Sequence, residues 1–119
     1  MTLLPRFVLG CLLAALLALP GAASAASITL FADLIPDNEV PPVPSDGVGS
    51  ASLIFDDQTN QLVFAILFSD LSGSLTGAHI HDGDAGVNGP VVIDLEPLLP
   101  GGTLPAGAAG LLTGSTTVD

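Results

Sequence analysis

The two histidines of the chain, His79 and His81, stand at i and i+2 in the short run Gly77-Ala78-His79-Ile80-His81, which has the character of a strand. Alternation along a strand sends both imidazoles to the same face. Two ring nitrogens so placed can reach one copper, zinc or nickel ion. Asp82 and Asp84 follow directly with oxygen donors, so the candidate metal set is His79, His81, Asp82 and Asp84. A structural reading competes with it: two imidazoles are an incomplete set, and an Asp before Gly is ordinary turn chemistry. The stretch Asp82-x-Asp84-x-Gly86-x-Asn88 resembles a calcium loop, yet Gly86 stands where an EF-hand needs Asp or Asn. Ile93 likewise stands where that motif needs its bidentate Glu. An EF-hand is therefore excluded, and a looser calcium site from Asp82, Asp84, Asn88 and Asp94 stays open.

The remaining side chains remove most other chemistries. The 119 residues hold twelve Asp/Glu against one Lys/Arg, a formal net charge of −11. The single cation, Arg6, and the single cysteine, Cys11, both lie near the apolar N-terminus. Without lysine there is no Schiff base, and without a basic patch there is no phosphate clamp and no footprint for nucleic acid or anionic lipid. Beyond Cys11 there is no disulfide, thiolate nucleophile or cysteine-ligated zinc. No G-x-S-x-G elbow occurs, since Gly47-Val48-Gly49-Ser50 has the wrong spacing. A paired-carboxylate glycosidase would lack its usual sugar platforms, because the chain has neither Trp nor Tyr. No catalytic residue is assigned, no cofactor is required, and the chain does not read as an enzyme.

The elements that must position the histidines begin after a leader. Residues 1–25 combine Arg6, an apolar run over 7–19, a Pro20-Gly21 break and the small-residue site Ala23-Ser24-Ala25. This is the grammar of a secretory signal peptide, with cleavage expected after Ala25. The apolar run is shorter than the ~18 to 20 residues a bilayer requires. Val8-Leu9-Gly10-Cys11 lies too near the start for a lipoprotein box. The expected location is therefore secreted, extracellular or periplasmic, with no membrane span after cleavage. Residues 26–119 form one β domain carrying all twelve acids and no Lys or Arg, so its side-chain charge is about −12 and it repels itself. An apolar content of 49% over the whole chain separates the protein from an acidic disordered tail.

Alternation predicts strands over 27–32 and 48–55, and a nearly continuous apolar run predicts a third over 61–68. The second and third form a hairpin across the polar loop 56–60. The third reads as a central strand with both faces covered. Short strands are expected over 77–81 and 91–95, separated by the glycine-rich loop 82–90, whereas 36–46 is a proline-rich loop. From Pro97 onward Gly, Ala, Pro and Leu dominate and no element is assigned. No helical stripe and no internal repeat occurs in this part. The pattern predicts an antiparallel β-sandwich or barrel. Five strands fall short of the roughly seven of a complete sandwich, so a sheet edge or core face should be left uncovered.

Three blocks, in order, carry a resemblance: Asn38-Glu39-Val40-Pro41-Pro42-Val43, the Gly-Ser-Ala strand with its hairpin, and Gly77-Ala78-His79-Ile80-His81 with Gly86-Val87-Asn88-Gly89-Pro90-Val91-Val92. Over about residues 28–95 they resemble the CHRD domain, a module named for chordin and found also in bacterial secreted proteins. The resemblance implies an all-β fold, an antiparallel immunoglobulin-like β-sandwich that is here partial; the leader places a signal-peptide helix before it. It makes 39–43 the family's opening loop and His79 and His81 its H-x-H strand. Chordin as a whole binds growth factors of the bone morphogenetic class, and bacterial members generally have no assigned activity. Family members usually continue into an N-V-H-T strand and a G-E-I-R-G-like strand, whereas this chain stops at Thr116-Thr117-Val118-Asp119. The C-terminal part of the domain is therefore expected to be missing, and with it a later histidine, the natural third ligand. The H-x-H strand is also similar to the copper-ligand strand of copper-zinc superoxide dismutase. That activity is rejected, because 26–119 has no other His and no Cys. The reading is a secreted non-catalytic binding or structural module whose partner is an extracellular protein or matrix component. The alternative is a copper- or zinc-binding protein centred on the His-x-His strand, and a non-functional gene remnant is a third possibility; no oligomeric state follows.

Overall fold

The computed structural model describes residues 26–119, so the signal peptide assigned to 1–25 lies outside the described residues. Alternating and β-branched residues form three long strands in succession: β1 (Ser27–Leu34), β2 (Val48–Asp56) and β3 (Gln61–Ser69). The short β4 (His79–His81) and β5 (Val91–Asp94) follow, then β6 (Gly110–Thr117). The domain is all-β and antiparallel, with a four-stranded sheet in the order β1-β2-β3-β6 and a two-stranded sheet of β4 and β5. Two 3-10 turns, Pro36–Asn38 and Glu96–Leu98, are the helical segments among the described residues.

Five of the six strands stand where the sequence pattern places them, and β3 is central, between β2 and β6. The sixth, β6, lies in the segment left without an assignment. Its inward positions include Gly110 and Gly114, paired directly with Phe68 and Phe64. A Cβ at Gly114 would stand 2.5 Å from the Leu98 carbonyl and 2.6 Å from the Phe64 ring. The apolar bulk that marks a strand in sequence is thus supplied by the partner strand, whose rings occupy the space beside the glycines. A second difference concerns β3. Its inner face, Leu62, Phe64 and Phe68, is buried, whereas Val63 and Leu67 on the outer face are exposed, Leu67 at 58%. Val63 is β-branched and suits a pleated backbone without burial, and no structural feature accounts for Leu67.

The core consists of Phe64, Phe68, Leu95, Leu99 and Leu112. Ile80 from β4, Ile93 from β5 and Leu53 and Ile66 from the larger sheet pack against it. The small layer therefore covers β3 and β6, the half of the large sheet nearest the 95–99 connection. Over β1 the inner face is open: Leu30 is 51% and Leu34 41% exposed although both sit on the core side of the sheet. This is the uncovered core face that a count of five strands anticipates.

The β2–β3 turn is fastened by Asp56, whose Oδ1 accepts the N–H groups of Gln58 at 2.9 Å and Thr59 at 3.1 Å. These hydrogen bonds to Gln58 and Thr59 hold the carboxyl below its ordinary value of 3.8. A depressed folded value means that the stabilisation is complete above 3.8 and is lost as pH falls through the folded value. Asp56→Ala should therefore lower the urea midpoint at about pH 7, and the gap from wild type should narrow as pH falls below the ordinary carboxylate value towards acid. A gap of constant size across that range would exclude the carboxylate as its source.

Candidate functional site

β4 and β5 form a short ribbon, with His79 opposite Asp94, Ile80 opposite Ile93 and His81 opposite Val91, and a register shift between Ile80 and His81. The two imidazoles approach edge to face, with centroids 6.0 Å apart and planes at 82°. Both residues are exposed. The His81 Nδ1–H donates to the Gly89 carbonyl at 2.9 Å. That bond fixes the tautomer, leaving Nε2 as the nitrogen with a free lone pair.

The structure brings His79 and His81 together and does not gather Asp82 or Asp84 with them. Among the described residues no three of His, Cys, Asp and Glu lie close enough to hold one metal ion. The two aspartates instead build the loop with their main chains. The Asp82 N–H donates to the Pro90 carbonyl and the Asp84 carbonyl accepts the Val87 N–H, each at 3.0 Å. The looser calcium set is also spread apart in its bonding. The Asn88 amide donates to the Val40 carbonyl, and the Asp94 Oδ1 accepts the Glu96 N–H at 3.2 Å. The Asn88 bond ties the glycine-rich loop to the proline-rich loop, so the first and last of the three sequence blocks meet in space.

Beside the histidine strand lies a feature that the residue types alone do not reveal. An apolar groove of about 650 Å³ runs between the open inner face of β1 and β2 and the β4 strand. Leu30, Leu34, Ala51 and Leu53 supply its floor, and His79 and His81 stand on the opposite wall. Along β4 the Ala78 carbonyl accepts the Leu95 N–H at 3.0 Å. Hydrogen-bonded and non-hydrogen-bonded pairs alternate in an antiparallel ladder, so the next residue, His79, directs its own N–H and carbonyl to the other edge. No strand of the described residues pairs with that edge. The shortfall in strand number was the available sign of such a surface; its place required the sheet order.

The family model described as CHRD domain matches residues 30–118. The match begins inside β1 and runs through β6, well past the 28–95 carried by the sequence blocks. No curated protein and no solved structure matches the chain.

Proposed function

The chain belongs to the CHRD domain family, and from that premise we propose that it is a secreted, non-catalytic module that binds an extracellular protein or matrix component. The observation that carries the reading is the apolar inner face of β1, open to solvent beside an unpaired strand edge. A contiguous apolar surface of this kind marks an interaction site on a soluble protein. The family is of extracellular type, and no helix among the described residues is long and apolar enough to cross a membrane.

The test immobilises the full chain, processed by its host, and passes a panel of extracellular matrix proteins and polysaccharides over it. Saturable binding with a Kd of about 10 µM or tighter to at least one protein is expected. Saturable binding to none of them overturns the reading. A second reading, a copper or zinc protein centred on His79 and His81, is favoured by the Nδ1–H bond of His81 to Gly89, which presents Nε2 for ligation. Calorimetric titration with copper and with zinc separates the two. A sub-micromolar site lost in His79→Ala establishes the metal protein, and a heat-silent titration leaves the binding module.

A further inference from the structure

We infer that the groove beside β4 accepts an extended apolar segment of a partner protein, flanked by lysine or arginine, which adds as a strand to the free β4 edge. The inference rests on the binding-module reading and names the partner's chemistry and its mode of attachment.

Three observations converge. The main-chain N–H and carbonyl of His79 face an edge that no strand of the described residues pairs, and an incoming strand satisfies such groups directly. Alternate side chains of that strand would then point down onto Leu30, Leu34 and Leu53, which supply an apolar floor. Charge selects the occupant. Residues 26–119 contain twelve acids and no Lys or Arg. Glu39 lines the groove, and Asp37, Asp46 and Asp82, in the connecting segments around it, each stand one position from a lining residue. A second copy of the chain would bring the same surplus of negative charge against this rim, so self-pairing through the groove is opposed. A cationic flank complements it.

Two labelled peptides test the proposal on the full chain. Both carry the core Val-Thr-Val-Thr-Ile; one is flanked by lysine pairs and the other by glutamate pairs. Fluorescence anisotropy should show the lysine form binding about tenfold tighter or more at low salt, with the advantage shrinking as salt rises. Leu30→Asp should weaken the lysine peptide by about tenfold or more. The new carboxylate would by itself favour the lysines, so this loss reads the apolar floor. Leu34→Ser, which adds no charge, serves as the second variant, and each variant is scored by its melting temperature before binding is measured. The His79 amide should gain protection from hydrogen exchange on peptide binding, which a contact through charge alone would not produce.

Equal affinity for the two peptides overturns the proposal, as does unchanged affinity in a folded groove variant. So does a dimer in sedimentation that excludes the peptide, because the groove's occupant would then be a second copy. If a matrix protein still binds the immobilised chain while both peptides fail, the strand-addition mode falls and the binding module stands. If both assays are silent, both readings fall.

Discussion

Phe64→Ala is expected to cost the folded domain about 3–5 kcal/mol, the range for truncating a buried aromatic ring. Phe64 is 2% exposed and lies at the centre of the larger sheet, on the face that meets Leu95, Leu99 and Leu112. Its ring also covers Gly114, which has no side chain to fill the space that truncation opens. The surrounding structure has little means of collapsing into the void, because its far wall is β-sheet backbone. A domain of this size holds about 5–10 kcal/mol in total, so the loss takes about 30% of it or more. The melting temperature should fall by about 15–30 °C. Leu67→Ala on the outer face of the same strand is the control, since its side chain is already mostly in water and should cost under about 1 kcal/mol. Urea midpoints at constant m separate the two. Equal losses would mean that the core is not gathered on the inner face of β3.

The pair of substitutions also shows why the sequence could be read in one direction only. The run 61–68 is apolar at nearly every position, which identifies a central strand, but Phe64 and Leu67 look alike in it. Which of them is buried depends on what lies across the sheet, and that is settled by β4, β5 and the 95–99 connection. The same dependence hid β6. Alternation registers large apolar residues, and β6 offers only Leu112 on its buried face because Phe64 and Phe68 occupy the space above its glycines. The histidine pair was legible because i and i+2 spacing is a property of one strand. For the aspartates two readings stood open, metal ligand and turn residue, and the main-chain hydrogen bonds to Pro90 and Val87 place both residues in the turn. The groove is the most distant from sequence of all: Leu30 joins His79 in one cavity only through a sheet order that places the β1 end of one layer beyond the cover of the other.

Gly89→Ala should disable the histidine ribbon while leaving the larger sheet folded. A Cβ at Gly89 would overlap the carbonyl of Asp82 and stand 2.9 Å from the Gly83 nitrogen. Both obstacles are backbone, so no side chain can swing aside, and one strand of the loop must move away from the other. That movement pulls on the Asp82 N–H bond to Pro90, the His81 Nδ1–H bond to the Gly89 carbonyl and the Asn88 tether to Val40. The expected cost is about 3 kcal/mol, the upper part of the range for forcing an added carbon into a packed site. Gly86→Ala in the same loop isolates the cause. Gly86 has a φ of +81° and open space around its missing Cβ, so its alanine variant bears only left-handed backbone strain of about 1–2 kcal/mol. Hydrogen exchange resolves where each cost falls: in Gly89→Ala the amides of 78–82 and 91–95 should lose protection, and those of β2 and β3 should keep it. Uniform loss across both sheets would show that the ribbon and the large sheet unfold as one unit. In that case the histidines and the groove wall they form could not be perturbed apart from the core.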